Sequence, residues 1–353
     1  MNCLKKKLNT EKRRLIFIVI AGTGGHIFPG IALAEGVKER GEKVLLLGRR
    51  GGMEEKIAKE SGFDFWGYAF FKRLFSINLV YGVVQCFCYF WRNKPKVVIA
   101  CGSYASLPPI LAGIALCLPI YLLEQNRMPG KMTKVFASFA RLVFLGFPPP
   151  RKIKNKEIWS GNPIRKAIRM IKEIKEENIL ILGGSQGARF LSLFFKDLAQ
   201  EFPEEKFLIQ VREEDFEKIR DDTYQNCSFF VFTPNIAEIL AKTKLVVSRA
   251  GASTISEILY LGLPVILIPY PYAAQNHQEW NARFCVERGC AIMIKEDDFV
   301  KNQERVKRVI KSFILDKERR EEMRRKAEKI KKDGTKIILD ILGIGREHER
   351  SYQ

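Results

Sequence analysis

Residues 180–191 read LILGGSQGARFL: an apolar run, two glycines, Ser185, Gln186 and a third glycine, after which apolar residues resume at roughly helical spacing. Residues 17–37, FIVIAGTGGHIFPGIALAEGV, repeat the layout. A continuously apolar strand that turns through glycine into a helix is the building block of a parallel sheet covered on both faces. Glycine in the turn tolerates positive φ and lets a ligand touch the backbone, while the unpaired amides and the dipole at the helix start favour negative charge. Two such turns predict two doubly wound α/β units, each with a loop suited to a phosphate or diphosphate.

The pattern extends outward from both. In the first half, residues 16–20, 44–47, 97–101, 120–123 and 142–145 read as strands and 29–40 as a helix, with Pro29 in its first turn and Gly41 ending it. A proline run and mostly basic residues, FPPPRKIKNKEIW (147–159), then interrupt the alternation. It restarts with strands at 179–182, 207–211, 229–232, 245–248, 265–268 and 291–294. Residues 316–332 form a dense mixed-charge helix with a solvated face, and 337–342 are apolar enough to dock on a neighbour.

At 353 residues the chain is long enough for two cores. Its 46% hydrophobic and 28% charged residues exclude extensive disorder, and a formal charge of +20 attracts anionic partners at long range without choosing among them. Eight cysteines show no CxxC pair and read as buried thiols in a reducing compartment. The basic start, MNCLKKKLNTEKRR, lacks the features of a signal peptide. Residues 101–123 carry no charge, but Gly102, Pro108, Pro109 and Pro119 cut them into a loop, a helix and a strand. Residues 74–91 are also uncharged, with Lys72 and Arg73 before them and Arg92, Lys94 and Lys96 after them. That segment is either a core helix or a helix lying in a membrane interface.

Ligands of open α/β sheets bind at the carboxyl ends of the strands. Three loops stand there: Gly22 to His26, Gly102 to Ser106, and Gly183 to Gly187. The Walker A lysine spacing is absent and the first loop lacks the full GxGxxG pattern, which argues against an ATPase and a dehydrogenase. A fourth cluster, residues 248–282, carries Glu257 on a helix and a polar loop of Gln275, Asn276, His277, Gln278 and Asn281. A glutamate so placed can accept both hydroxyls of a ribose, and amides that both donate and accept suit a hexose. Spacing alone leaves Glu257 as either such a ligand or a solvated helix residue.

AGTGGHIFPGIALA (21–34), the EQN of LEQNRMPG (124–126), SGNPIRK (160–166), GGSQGAR (183–189), SRAGASTISEI (248–258) and NHQEWNA (276–282) stand in the order seen in the MurG family of bacterial glycosyltransferases. The chain resembles that family from about Leu15 to about Leu342. The resemblance implies a GT-B architecture, two Rossmann-like domains with a cleft between them. Residues 1–162, with 335–353 packing back, would take the lipid acceptor and the membrane, and residues 163–334 would take UDP-N-acetylglucosamine.

By the motif match, Gly184, Ser185 and Gln186 hold the donor diphosphate with Arg165 as cationic partner, and Glu257 holds the ribose. Gln278, Asn281 and His277 hold the sugar, and uracil lies against the backbone at Thr233. Thr23, Gly24, Gly25 and Asn126 complete the donor set. Gly22, Thr23, Gly24 and Gly25, with Gly102, Ser103 and Tyr104, take the acceptor diphosphate. Lys72, Arg73, Phe87, Phe90, Trp91 and Arg92 form a patch for the anionic cytoplasmic face of the plasma membrane. The family's activity moves N-acetylglucosamine onto a lipid-linked muramyl-pentapeptide with inversion, in peptidoglycan biosynthesis and hence cell shape and division. Other cell-wall synthesis proteins are further partners, and no nucleic-acid partner is implied.

An inverting transfer needs a base for the acceptor proton. His26 is the first candidate, against the alternative that it only orients the glycine loop, and Glu124 is the second. With no DxD sequence in the chain, catalysis is expected to need no metal cofactor. Departures fall mainly on the acceptor side: Leu123 replaces the histidine of HEQN, Gly102-Ser103-Tyr104 replaces GGY, and Leu107 stands where glycine is common. Thr233 and Pro234 make the uracil pocket less typical. Competing readings are a diacylglycerol glycosyltransferase, a UDP-N-acetylglucosamine 2-epimerase and a catalytically silent nucleotide-sugar-binding protein.

Overall fold

The computed structural model describes residues 15–70, 77–153, 156–184, 187–219, 225–233 and 235–345. They divide into two compact units. The first takes the described residues up to Gln125, Pro129–Arg165 and those from Asp333 on; the second takes Asn126–Met128 and Lys166–Lys332.

In the first unit β1 (Ile16–Val19), α1 (Gly24–Glu39), β2 (Val44–Arg49), α2 (Met53–Glu60), β3 (Phe65–Tyr68), α3 (Ile77–Asn93), β4 (Val97–Ala100), α4 (Leu107–Ala115), β5 (Ile120–Glu124), α5 (Lys131–Phe136), β6 (Leu142–Leu145) and β7 (Glu157–Trp159) follow in order. The strands form a parallel sheet in the order β3-β2-β1-β4-β5-β6-β7. Ile16, Phe17, Ile18 and Val19 are all fully buried, as a strand covered on both faces requires. One face packs Ile16 and Ile18 with Ile27, Ile31 and Val37 of α1; the other packs Phe17 and Val19 with Cys86 and Phe90 of α3 and Ile110 of α4.

The second unit runs α6 (Lys166–Arg169), β8 (Asn178–Leu182), α7 (Arg189–Ala199), β9 (Lys206–Gln210), α8 (Glu213–Ile219), β10 (Cys227–Phe230), α9 (Ile236–Leu240), β11 (Thr243–Ser248), α10 (Ala252–Tyr260), β12 (Val265–Leu267), α11 (His277–Glu287), β13 (Ile292–Met293), α12 (Asp298–Lys301), α13 (Gln303–Leu315) and α14 (Lys317–Glu328). Its parallel sheet has the order β10-β9-β8-β11-β12-β13. Both sheets reverse strand order beside their first strand, at β1/β4 and at β8/β11, which is where such folds open a ligand crevice.

The chain then returns to the first unit as α15 (Gly334–Ile341), whose Ile338 and Leu339 join the core around α1. Gly36 makes room for it: a Cβ there would lie 2.5 Å from Thr335 Cγ2 and 2.7 Å from Leu339 Cδ1. Arg40 donates to Asp340 Oδ1 at 2.7 Å and to the Ile344 carbonyl at 2.9 Å. Thr335 Oγ1 accepts from Ile164 N at 3.0 Å and donates to Ile164 O, which keeps residues up to Arg165 with the first unit rather than ending it at 162.

Several details differ from the sequence expectations. The short strands β3 and β7 were not foreseen, because Phe65–Tyr68 contains a glycine and Glu157–Trp159 follows a proline- and lysine-rich stretch. Helix α1 starts at Gly24, so Pro29 lies inside it instead of in its first turn. The mixed-charge helix α14 buries Met323 and Ala327. Among the described cysteines Cys86, Cys101, Cys285 and Cys290 are buried, but Cys88 and Cys117 are exposed.

Alanine in place of glycine inside a helix ordinarily stabilises by about 1 kcal/mol. Gly36→Ala is expected to do the opposite and destabilise by about 1–3 kcal/mol, because α15 must move off α1. The urea unfolding midpoint measures it; an increase would contradict the packing.

Candidate active site

The first site is built at the carboxyl ends of β1, β4 and β5, neighbours in the sheet. After β1 the chain turns through Gly22 at φ +108° and enters α1 behind Thr23, which makes no side-chain cap, and no acidic residue occupies the first turn. The helix therefore presents amides and a positive dipole end without an internal anion. After β4, Gly102 at φ +87° and Ser103 at φ +70° bend the chain back toward the same place. A Cβ on Gly22 would touch Ser103 Oγ at 2.8 Å, and one on Gly102 would lie 3.1 Å from His26 Nδ1, so both glycines are required by close approach.

His26, half-buried in the first turn of α1, ties the three strand ends together. Its Nδ1 lies 2.8 Å from the Cys101 carbonyl and 3.0 Å from Gln125 Oε1. The Gln125 amide donates to the same carbonyl at 2.9 Å, which fixes its oxygen toward the imidazole. A ring nitrogen facing two acceptor oxygens must carry the proton, so in the neutral ring Nε2 holds the lone pair. Beside the loop, the Arg165 guanidinium lies 5.0 Å from the ring centre of Phe28, the residue a Cβ on Gly24 would touch. Tyr104 stands exposed on the second loop, while Ser106 donates to the Gly102 carbonyl.

Glu124 has a different place from the one expected of a general base. Its side chain is buried and accepts from Gly130 N at 2.8 Å and Thr133 Oγ1 at 2.5 Å, so it holds the turn into α5 closed.

The second site lies at the ends of β8 and β11. A Cβ on Gly183 would sit 2.4 Å from Ala188 N; Gly184 and Gly187 take φ +83° and +68°, and Gly187 N closes on Gly184 O at 3.0 Å. This turn leads into α7, again with no side-chain cap and no acid in the first turn. Ser185 and Gln186, which follow Gly184 in the sequence, lie outside the described residues. Next to it Arg249 is 8% exposed, paired with Glu296 at 2.6 Å and stacked on Phe190 and Tyr270. The ion pair and the two rings hold its guanidinium beside the loops.

Helix α10 carries Glu257, 7% exposed, behind an N-terminus that Gly251 leaves without a side-chain cap. The loop before α11 takes Gln275 and Asn276 through positive φ, which presents His277 and Gln278 in the helix's first turn. Gln278 Oε1 accepts from Ala250 N at 3.2 Å and Tyr270 N at 3.0 Å, so its amide nitrogen is the end left to donate outward. His277 Nδ1 donates to the Ala274 carbonyl at 2.9 Å. Thr233 Oγ1 accepts from Asn235 N at 3.1 Å.

Asn281 is tied to its neighbours by its side chain. It is fully buried, accepts from Arg127 N at 2.9 Å and donates to Asn126 Oδ1 at 3.1 Å and the Ala250 carbonyl at 3.2 Å. It therefore holds Asn126 in place. The roles of Gln125, Arg249 and Arg127 were missed. Gln125 lies within the EQN motif, but the partners of all three come from distant segments that no local pattern announces.

On α3, Val80, Tyr81, Val84, Phe87 and Trp91 are exposed and follow a helical stripe, with Arg92 and Lys94 at its end. Phe90 does not belong to it. It is 1% exposed and packs on Phe17, ring centres 5.1 Å apart, because it falls on the face turned to the sheet. Lys72 and Arg73 lie outside the described residues. No helix among the described residues is long and apolar enough to cross a membrane.

Comparison with known proteins adds to this geometry. Residues 16–145 match the glycosyltransferase family 28 N-terminal domain and residues 178–338 its C-terminal domain. A UDP-N-acetylglucosamine--N-acetylmuramyl-(pentapeptide) pyrophosphoryl-undecaprenol N-acetylglucosamine transferase of Halothermothrix orenii is 34% identical over 356 residues, covering 90% of this chain and 95% of that one. The transferase of the same description from Coxiella burnetii is 33% identical over 341 residues, covering 90% and 94%. The crystal structure of Acinetobacter baumannii MurG superposes with a TM-score of 0.75 at 23% identity, covering 94% of this chain and 99% of that one, and so shares the fold.

The chain has only three histidines, so nitrogen NMR of the labelled protein can assign His26 directly. The neutral ring is expected to carry its proton on Nδ1; a neutral ring protonated on Nε2 would contradict the hydrogen bonding to Cys101 and Gln125.

Proposed function

The chain belongs to glycosyltransferase family 28, and on that premise we propose that it transfers N-acetylglucosamine from UDP-N-acetylglucosamine to the C4 hydroxyl of undecaprenyl-diphospho-muramyl-pentapeptide, with inversion and without a metal cofactor. The similarity to transferases of that description over nine-tenths of the chain carries the reading, and two glycine-opened, uncapped helix starts support it.

In this reading the first unit takes the acceptor diphosphate on the amides of Gly22, Thr23, Gly24 and Gly25, with Gly102, Ser103 and Tyr104 alongside. The second unit takes the donor: diphosphate on the α7 N-terminus at Gly184, Ser185 and Gln186, ribose on Glu257, uracil near Thr233, and sugar hydroxyls on Gln278, His277 and Asn126. Arg165 is a cationic partner for a diphosphate.

The acceptor oxygen attacks the anomeric carbon from the side opposite UDP, the C1–O bond to the diphosphate breaks, and His26 Nε2 takes the hydroxyl proton. The Cys101 and Gln125 oxygens at Nδ1 stabilise the imidazolium that forms and hold the ring's orientation. Charge growing on the leaving UDP is met by amides and a helix dipole that are already oriented, which costs no reorganisation during the reaction. The absence of a DxD sequence supports a route without metal.

The exposed stripe of α3 docks the protein on the anionic cytoplasmic face of the plasma membrane, where the acceptor lipid resides.

Incubation with radiolabelled UDP-N-acetylglucosamine and the muramyl lipid tests the activity: label is expected in the extracted lipid phase, and label released as free sugar, or placed on diacylglycerol instead, would refute it. His26→Ala is expected to lower kcat by about a hundred- to ten-thousandfold; near-normal turnover at saturating acceptor would remove His26 as the base. Val84→Ser combined with Trp91→Ser is expected to weaken pelleting with vesicles containing phosphatidylglycerol, and unchanged pelleting would discard the α3 patch.

A further inference from the structure

The residue after the EQN motif makes a contact that the proposed activity does not use. Arg127 belongs to the second unit, and its guanidinium meets the Glu287 carboxylate as a fork: Nη1 donates to Oε1 at 3.0 Å and Nη2 lies 2.8 Å from Oε2. Its central carbon lies 5.9 Å from the ring centre of Trp280 and 5.7 Å from that of Phe284. Both rings and Glu287 belong to α11, and Glu287 is that helix's last residue.

The backbone of the same residue is also held. Arg127 N donates to Asn281 Oδ1, and Asn281 in turn grips Asn126 Oδ1 and the Ala250 carbonyl. Ala250 N donates to Gln278 Oε1. An unbroken path of hydrogen bonds and covalent links thus runs from Glu287, at the end of α11, through Arg127, Asn281 and Ala250 to Gln278, in its first turn.

We propose that Arg127 and Glu287 are a positioning pair for the sugar donor, seating Asn126 against α11 and keeping Gln278 in its binding orientation. The proposal rests on the donor reading given above. Three observations favour positioning over simple stabilisation. Glu287 is half exposed, so solvent screens the pair and its effect on global stability is small. Arg127 Nε is buried with no hydrogen-bond partner among the described residues, a cost that packing alone would avoid. The fork and the two rings demand a planar guanidinium, which lysine cannot supply. The neighbouring cation also holds the Glu287 carboxyl below its ordinary range, so the pair stays charged at neutral pH.

The test uses the full chain and Arg127→Lys and Glu287→Gln, with UDP-N-acetylglucosamine binding followed by calorimetry, KM and kcat at saturating acceptor, and Tm. Each substitution is expected to weaken donor binding about three- to tenfold and to raise the donor KM by a similar factor, with a smaller change in kcat and little change in Tm. Unchanged donor Kd and KM in both variants would overturn the proposal while leaving the donor reading intact. A fall in kcat and Tm without a rise in KM would also overturn it, as a structural effect. Wild-type protein that binds no UDP-N-acetylglucosamine would overturn the donor reading itself, and this proposal with it.

Discussion

Helix starts at α1 and α7 that carry neither an N-cap side-chain hydrogen bond nor an acidic residue in the first turn are the constraint on which the rest depends. The first N–H groups of a helix point out of its end, and at both starts the N-cap residue makes no side-chain capping hydrogen bond and the first turn holds no carboxylate. Glycines at positive φ turn the chain into each of them. Each unit therefore carries a helix start whose dipole favours negative charge. A reaction between two diphosphate-bearing substrates is well served by two such sites, since one anion is held while the charge on the other grows.

The side chains around the first site are arranged to hold an imidazole. Oxygen atoms from the ends of β4 and β5 converge on His26 Nδ1, and Gly102 is bare because the ring lies against it. Burial behind the helix pushes the Cys101 thiol up to about 12, so that residue contributes its carbonyl and no ionised sulfur. Two residues of the matched motifs also carry structural hydrogen bonds. Glu124 and Asn281 are polar, and both occur within matched motifs. Their hydrogen bonds are already made to Gly130 and Thr133, and to Arg127, Asn126 and Ala250 respectively.

Much of this architecture was legible in the residues. The continuously apolar strands, the glycine turns and the break near the proline run announce two parallel-sheet units, because a strand buried on both faces has no alternation to hide. The short strands β3 and β7 escaped, since four residues including a glycine, or three after a charged stretch, carry too little pattern. Helix α3 shows the limit of composition: its run of uncharged residues up to Trp91 offers no way to separate Phe90, which packs on Phe17, from Trp91, which is 64% exposed, without the helix phase. The environments of Arg249, Gln125 and Arg127 were illegible for a different reason. Their partners lie 47, 24 or 99 (Cys101 and His26), and 160 positions away in sequence, and only the folded chain brings them together.

The most direct measurement is a crystal structure of the protein with UDP-N-acetylglucosamine bound. The account predicts the uridine compound against the second unit, its diphosphate at the start of α7 beside Gly184 and its ribose within hydrogen-bond distance of Glu257. A nucleotide seated anywhere else, with the α7 N-terminus left to solvent, would contradict it.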